Sequence, residues 1–269
     1  MFDTITSRGL VLLGCGRMGS AMLEGWLKQG LPAASVWVKD PRPSDWLLKQ
    51  GVHVNETLPD SPALVLVAVK PQMMEEALPV LKTYGNGDTI FLSVAAGTTI
   101  NFYETTLGAQ TPVIRSIPNT PAAIGRGITG LIGNDHIAED AMQLAETLLS
   151  AIGQTVRLDN EGQMDAVTAM SGSGPAYVFH LIEAMAAAGE AQGLSPELSM
   201  ALAKATVGGA GQLAEDADET PTQLRINVTS PKGTTQAALE VLMDENRGFP
   251  VLMKDAIEAA TQRSKELGA

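Results

Sequence analysis

A glycine-rich turn directly after an apolar strand restricts the fold of this sequence more than any other segment does. The turn, GCGRMG at residues 14–19, follows the run LVLLG (10–14) and precedes a helical pattern. GxGxxG spacing permits a tight turn and close approach of the backbone to a pyrophosphate at a helix N-terminus. The expected dinucleotide contacts are Gly14, Gly16, Arg17, Met18 and Gly19.

Further strands follow the first one at the spacing of βαβ units. The β-like runs VWVK (36–39), LVLVAV (64–69) and TIFLSVA (89–95) are separated by segments long enough for helical crossovers. LVLVAV is apolar throughout, which predicts a central strand covered on both faces. Later candidates are PVIRSI, GITGLIG and QTVRL, with a helix from Ala138 to Ile152 before the last and an end of the sheet near Leu158.

After about residue 160 the pattern becomes helical. Ser195 before Pro196, and Thr220 before Pro221, each read as an N-cap followed by a first-turn proline. At least five helices are expected. We therefore predict an α/β protein with a Rossmann-like, mostly parallel sheet domain over residues 1–159 and an all-α dimerisation domain over 160–269. The apolar surface of the small helical domain predicts a homo-oligomer.

Charge and cysteine content exclude several classes of partner. The net charge of −12 argues against nucleic acid or an anionic membrane as the main partner. No apolar run approaches the roughly 20 residues needed to span a bilayer, and the N-terminus does not resemble a signal peptide. The single Cys15 fits a reducing compartment, so we expect a cytoplasmic protein. The three histidines, His53, His136 and His180, are scattered, and no metal site is predicted.

The segment VKDPR, about 20 residues beyond the glycine turn, bears on the choice of coenzyme. An acid here suits the ribose hydroxyl of NAD, whereas a cation suits the 2′-phosphate of NADP. Lys39 and Arg42 surround Asp40, and two cations against one acid favour NADPH, with NADH as the alternative. Asn55 is a further expected contact. AVKP (68–71) and SVAAG (93–97) end the next two strands, where ligands of open α/β sheets lie, and Lys70 is expected to meet a ribose or phosphate.

Six motifs in order give the chain a resemblance to pyrroline-5-carboxylate reductases: GCGRMG, AVKP, SVAAG, RSIPNTP (115–121), AVTAMSGSGPAY (166–177) and VTSPKGTTQAAL. The resemblance covers essentially the whole chain, and the SGSGPAY segment and SPxGTT loop are its specific parts. It implies reduction of 1-pyrroline-5-carboxylate to L-proline by NAD(P)H, the last step of proline biosynthesis. It also implies a dimer whose helical domains interlock, and larger rings of dimers.

The resemblance also implies residue roles. The cofactor would contact the glycine loop, Lys39, Asn55, Ala68, Val69, Lys70, Pro71, Ala95, Ala96, Gly97 and Asn227. The substrate would lie between Glu161, the backbone of Gly233 and Thr234, and the hydroxyl of Thr235, the expected catalytic residue. Two positions depart from the family pattern: Lys232 stands where glycine is common, and Arg17 where asparagine or glutamine is frequent.

The chemistry expected of the SPKGTT loop is orientation. A protonated cyclic imine is already electrophilic, so positioning dominates, and backbone N–H groups at a helix start suit the substrate carboxylate. The Thr235 hydroxyl would meet the ring nitrogen, while the last proton comes from that hydroxyl or from water. Taken alone, SPKGTT is also an ordinary helix cap. SGSGP weakens a helix, which indicates close approach to cofactor or ligand, or a kink needed for packing.

Two rival classes remain. Hydroxyacid dehydrogenases also join a GxGxxG domain to a helical one, but they use a lysine on the first long helix after the sheet, and no lysine occurs between Lys82 and Lys204. The other class is a dinucleotide-binding protein without turnover. Incubation with a cyclic imine and NADPH distinguishes the two, because only a reductase oxidises the nicotinamide.

Overall fold

The computed structural model describes residues 2–268, so the predicted domain limits at residues 1 and 269 lie outside it. Its strands are β1 Leu10–Leu13, β2 Val36–Lys39, β3 His53–Val54, β4 Leu64–Val67, β5 Ile90–Ser93, β6 Val113–Ile117, β7 Gly127–Gly133 and β8 Gly153–Arg157. Its α-helices are α1 Asp3–Arg8, α2 Arg17–Lys28, α3 Met74–Ala77, α4 Ile100–Leu107, α5 Glu139–Leu149, α6 Met164–Val167, α7 Gly174–Ala191, α8 Pro196–Asp216, α9 Pro221–Asn227, α10 Thr234–Leu242 and α11 Phe249–Gly268.

The eight strands form one sheet in the order β3-β2-β1-β4-β5-β6-β7-β8. All neighbours pair in parallel except β6 and β7, which are antiparallel. The predicted mostly parallel sheet is thus confirmed. The apolar run at 64–69 is confirmed as central, since β4 pairs with β1 and β5 and all four of its residues are buried. The two-residue strand β3 was missed because its sequence carries no alternating pattern.

Helices cover both faces of the sheet. On one face Leu10 and Leu12 of β1 join a buried cluster with Trp26 of α2. The alternate residues Val11 and Leu13 join a second cluster with α4 and the segment after α3. Burial of both faces explains the continuous apolar runs of β1 and β4, and each fully buried aliphatic side chain stabilises the fold by roughly 1.5–3 kcal/mol. The indole Nε1 of Trp26 donates to the carbonyl of Leu148 at 2.8 Å, which ties α2 to α5.

The chain divides into two compact units. The sheet unit comprises Met1–Gly172 and Thr261–Ala269, and the helical unit comprises Ser173–Ala260. The sheet unit therefore includes residues 160–172, which the sequence analysis assigned to the helical domain. Met164 and Ala169 are fully buried, and the hydroxyl of Ser264 donates to Asp165 at 2.7 Å, so this segment packs with the sheet unit and with the end of α11.

The helical unit begins its helices as its sequence predicts. The hydroxyl of Ser195 accepts the N–H of Leu198, and that of Thr220 accepts the N–H of Gln223. The predicted N-caps of α8 and α9 are therefore confirmed, and more than five helices follow residue 160. Within residues 2–268, no helix has both the length and the apolar composition to cross a lipid bilayer.

Candidate functional site

The three glycines of the GCGRMG turn have three different surroundings. Gly14 has φ of +86° and lies against the Ala68 carbonyl, where a Cβ would come within 3.0 Å of the oxygen. At Gly16 a Cβ would meet nothing in the described chain within 4 Å. At Gly19 it would lie 2.6 Å from the Gly14 carbonyl. A pyrophosphate loop needs a tight turn, open space beside its backbone and a helix packed closely against the strand. Gly14, Gly16 and Gly19 meet these needs in that order, so the predicted loop fits a dinucleotide.

The helix behind this loop supplies free backbone donors. Gly16 is the N-cap of α2, and the first N–H groups of the helix, at Arg17, Met18 and Gly19, have no partner within the helix by geometry. Gly16 and Arg17 are exposed, whereas Cys15 and Gly19 on either side are buried. Because these donors stand at the positive end of the helix dipole, an anionic group is favoured at this place.

Asp40 connects the loop to the end of β2. Its Oδ2 accepts the N–H of Cys15 at 2.7 Å, and its Oδ1 accepts the N–H of Arg42 at 2.8 Å. The side-chain amide of Asn55 donates to the Asp40 carbonyl and accepts the Asp40 N–H. Asn55 itself has φ of 57°, in the left-handed region. The carboxylate is thus held by backbone N–H groups, while Lys39 at the end of β2 has no ion-pair or hydrogen-bond partner for its ammonium among residues 2–268.

The AVKP and SVAAG segments lie at the same carboxyl edge of the sheet as the glycine turn. The N–H of Ala68 donates to Leu13 at 2.8 Å, and the N–H of Val94 donates to Val67 at 3.1 Å, so both segments continue directly from parallel strands. Lys70 and Pro71 are exposed, and Gly97 turns the chain with φ of +75°. The structure therefore brings the predicted cofactor residues of β1, β2, β4 and β5 to one edge, as the open-sheet rule requires.

A buried network of hydrogen bonds centred on Ser93 holds the start of the SVAAG turn. The Tyr103 hydroxyl donates to Ser93 Oγ at 2.5 Å, the Ser116 hydroxyl donates to the Ser93 carbonyl at 2.7 Å, and the N–H of Ala95 donates to Ser93 Oγ at 3.2 Å. Burial raises the pKa of Tyr103, and the hydrogen bond to Ser93 and the nearby Arg115 only partly offset this. Tyr103 therefore stays a neutral donor at ordinary pH.

Glu161, a predicted substrate residue, bonds to β6 and to the start of α4. Its Oε1 accepts Nη1 of Arg115 at 2.6 Å and the N–H of Ile100, the first residue of α4, at 2.9 Å. Arg115 is only 6% exposed, in the middle of β6. Oε2 of Glu161 has no partner in the described chain, and the side chain is about one-third exposed.

The remaining predicted residues share one loop of the helical unit. Asn227 ends α9, and α10 begins at Thr234 with Gly233 as its N-cap. Among the described residues no side chain caps α10, so the N–H groups of its first turn are available to a ligand. The side chain of Asn227 accepts Nε2 of Gln223 at 2.8 Å. Thr235 is half-buried and Thr234 is exposed.

Lys232 shows why glycine is common at its position. Its φ of 59° lies in the left-handed region, and its N–H donates to Oε1 of Gln236 at 2.7 Å. A lysine there costs roughly 1 kcal/mol relative to glycine. The loop thus retains the turn that the family pattern encodes, at the expense of some stability.

The sequence analysis did not identify three contributions to this site. These are the buried Arg115, the bond of the Asp40 carboxylate to the loop backbone, and Asn119, whose amide donates to the Ser171 carbonyl at 3.1 Å. For Arg115 a signal was present, since a charged residue inside an apolar strand needs a buried partner. The partners of Asp40 and Asn119 are backbone atoms, which leave no trace in a sequence. No group of three or more histidine, cysteine or acidic side chains suited to a metal occurs within the part of the chain that the structure describes.

The sheet order and the open glycine loop define a Rossmann-type dinucleotide-binding protein with an added helical unit. The chain is 39% identical over 264 residues to the pyrroline-5-carboxylate reductase of Pseudomonas aeruginosa, with 96% of each chain covered. It is 32% identical over 275 residues to a Bacillus subtilis relative of the same name, covering 99% of this chain and 92% of the relative. The chain belongs to the pyrroline-5-carboxylate reductase family.

Family models and solved structures agree with this assignment. Residues 161–267 match the model described as pyrroline-5-carboxylate reductase dimerisation, and residues 9–97 match that described as NADP oxidoreductase coenzyme F420-dependent. A pyrroline-5-carboxylate reductase from Coxiella burnetii superimposes with a TM-score of 0.90 at 32% identity, covering 97% of this chain and 99% of the other. The Plasmodium falciparum reductase with NADP bound gives 0.83 at 27% identity, covering 98% and 99%.

Proposed function

We propose that this protein reduces 1-pyrroline-5-carboxylate to L-proline with a hydride from NADPH, and that NADH serves as an alternative donor. The observation that carries the proposal is the close relationship to named reductases over nearly the whole chain. The open space at Gly16 and the uncapped start of α10 supply the two binding features that the reaction needs.

The sheet unit binds the coenzyme in this proposal. The N–H groups from Gly16 to Gly19 hold the pyrophosphate, and Lys39 and Arg42 meet the 2′-phosphate of the adenosine end. Because the Asp40 carboxylate accepts the backbone N–H groups of Cys15 and Arg42, the side chains of Lys39 and Arg42 are the ones free to select NADPH. The other proposed contacts are Asn55, Ala68, Val69, Lys70, Pro71, Ala95, Ala96 and Gly97 of the sheet unit and Asn227 of the helical unit.

The α10 start binds the substrate. The backbone N–H of Thr234 donates to the ring carboxylate at the positive end of the helix, next to Gly233, whose own N–H donates to the Ser230 carbonyl at 3.0 Å. Oε2 of Glu161 is the carboxylate oxygen available to the ring. The hydroxyl of Thr235 bonds the ring nitrogen and thereby fixes which carbon faces the donor.

The reaction needs little acid catalysis from the protein. A bound reduced nicotinamide supplies the hydride, and a protonated C=N bond is already a strong electrophile. The chain's own residues orient the ring, exclude alternative poses and stabilise the amine as it forms, which is the positioning that accounts for most of the rate in such reactions. The last proton reaches the nitrogen from the Thr235 hydroxyl or from water.

The helical unit forms a homodimer in this proposal, and dimers assemble further into a ring. Large apolar side chains stand exposed on its helices, among them Phe179 at 59%, Leu202 at 50% and Leu213 at 56%. Exposed apolar side chains on a helical unit of this size support burial against a second copy. The lone buried thiol of Cys15 suits the reducing cytoplasm.

The decisive experiment mixes purified protein with NADPH and racemic 1-pyrroline-5-carboxylate and follows nicotinamide absorbance, with proline measured as the product. We expect stoichiometric oxidation of NADPH and formation of L-proline. A 2-hydroxy acid with NADP⁺ serves as the substrate of the rival dehydrogenase class. Turnover of the hydroxy acid alone identifies a dehydrogenase, and binding of NADPH without turnover of either compound identifies a non-catalytic protein; each result overturns the proposal.

A further inference from the structure

The segment Thr168–Gly172, between α6 and α7, forms a π-type turn that ends on the first two residues of the SGSGP motif. Wider turns of this type leave backbone groups without their usual helical partners and are frequent at functional sites. The Ser171 carbonyl would normally accept the N–H four residues on, but that residue is Pro175, which has none. The next N–H, of Ala176, donates to the Ser173 carbonyl at 3.0 Å.

Asn119 supplies the missing donor. Its Nδ2 donates to the Ser171 carbonyl at 3.1 Å, while its Oδ1 accepts the N–H of Ile128 in β7 at 3.0 Å. Asn119 lies two residues beyond the end of β6, at the carboxyl edge that also carries Ala95 and Gly97 after β5. Gly172 lies over the same strand end, since a Cβ built on it would be 3.9 Å from the side chain of Ile117.

We propose that Asn119 is a positioning residue for the reductase reaction: it satisfies the carbonyl that Pro175 leaves without a donor, and so holds the π-turn in place at the coenzyme edge of the sheet. This inference rests on the proposed function for the reaction it serves. The asparagine of RSIPNTP thus compensates for the N–H that the proline of SGSGP lacks, although the two residues are separated by more than 50 residues of sequence.

The bond from Asn119 restricts the conformation of the turn. An unpaired carbonyl at a proline step is free to rotate towards water, and the turn would then adopt several conformations. Held by Asn119, the turn keeps one conformation at the carboxyl edge of the sheet. Since small misplacements near a reacting pair cost large factors in rate, the loss of this bond should reduce turnover more than coenzyme affinity.

Two variants remove the donor in different ways. Asn119→Ala removes both bonds, and Asn119→Asp keeps an acceptor for Ile128 but has no N–H for Ser171. We expect both to lower kcat by about tenfold or more, with KM for NADPH within about twofold of the unsubstituted protein. Asn134→Ala is the matched control for Asn119→Ala, because the Asn134 amide also joins a carbonyl, that of Thr111, to a strand N–H, that of Val113, at the opposite end of β6 from the coenzyme edge. It should lower Tm and leave kcat within about twofold.

Pro175→Ala restores an N–H at position 175 and tests the mechanism. Combined with Asn119→Ala, it should recover kcat to within about threefold of Pro175→Ala alone. Unchanged kcat in Asn119→Asp, or additive losses in the double variant, overturns the proposal. If Asn119→Ala does not fold, recovery of folding in the double variant supports the same role for Asn119, and failure of both overturns it. If the unsubstituted protein does not reduce the imine, the proposed function is refuted instead. The unfolding free energies of Asn119→Ala, Pro175→Ala and the double variant still test the bond, because their changes should not be additive.

Discussion

The guanidinium of Arg115 and the carboxylate of Glu161 meet through a single oxygen, Oε1, at 2.6 Å, and that oxygen also accepts the N–H of Ile100. Glu161→Ala would leave a buried guanidinium and the first N–H of α4 without an acceptor. We expect the free energy of unfolding to fall by about 2 to 4 kcal/mol, measured by urea denaturation.

Two further variants separate this structural role from substrate binding. Glu161→Gln keeps an oxygen for both donors, so its loss of stability should be smaller, while KM for the imine rises because Oε2 is replaced. Glu146→Ala removes a carboxylate from the exposed side chain of Arg157 and should change stability by less than about 1 kcal/mol. Equal losses of stability in Glu161→Ala and Glu146→Ala would contradict the buried role.

The glycine turn gives a prediction in which two neighbouring alanine substitutions act differently. Gly16→Ala places a methyl in open space where the pyrophosphate is expected, so stability should change by no more than about 1 kcal/mol while Kd for NADPH rises markedly. Gly19→Ala drives a methyl into the Gly14 carbonyl and should cost about 1 to 3 kcal/mol of stability. Calorimetric titration and thermal unfolding measure the two quantities, and a normal Kd in Gly16→Ala would refute the loop as the phosphate site.

Lys39 should set the preference between the two coenzymes. Lys39→Glu replaces a cation expected at the 2′-phosphate with an anion, so Kd for NADPH should rise by about tenfold or more, with a much smaller effect on NADH. Lys82→Glu makes the same charge change on the segment after α3 and should affect neither coenzyme. Equal weakening of both coenzymes by Lys39→Glu would remove the 2′-phosphate assignment.

The sequence predicted those features whose signals are local. The glycine turn, the strand runs and the caps at Ser195 and Thr220 each combine a residue type with a fixed spacing, and all lie where they were expected. The extension of the sheet unit to residue 172 was not predicted, because it depends on the bond from Ser264 to Asp165, 99 residues apart. The contact of Asn119 with Ser171 also joins residues far apart in sequence, and it was missed because a bond to a backbone atom does not constrain the residue type of its partner.

Thr235 should affect turnover and leave coenzyme affinity unchanged. Thr235→Ala removes the hydroxyl that orients the ring nitrogen, and we expect kcat to fall by about tenfold or more, with Kd for NADPH nearly unchanged. Thr235→Ser retains a hydroxyl and should recover most of the rate. Thr220→Ala is the control, since it removes a threonine that caps α9 and should cost about 1 kcal/mol of stability without changing kcat. A Thr235→Ala protein with full turnover would count against the orienting role.

The Cys15 thiol should be unreactive in the folded protein, and its burial should make the free energy of unfolding depend on pH. Burial, and secondarily the Asp40 carboxylate, raises the pKa of Cys15 from 9.0 to about 12. Between these values the unfolded chain loses the thiol proton while the folded chain keeps it, so the folded state binds more protons and stability falls as pH rises. The contribution is fully present below pH 9 and declines by at most about 1.4 kcal/mol per pH unit above it.

The variant Cys15→Ala isolates this effect from the tyrosines and lysines that titrate in the same range. The difference in unfolding free energy between the unsubstituted protein and Cys15→Ala should be constant below pH 8.5 and should shrink towards pH 11. A thiol reagent at pH 8 should modify the folded protein far more slowly than the protein unfolded in urea, because only the thiolate reacts. Parallel stability curves, or rapid labelling of the folded protein, would show that the thiol is not protected by burial beside Asp40.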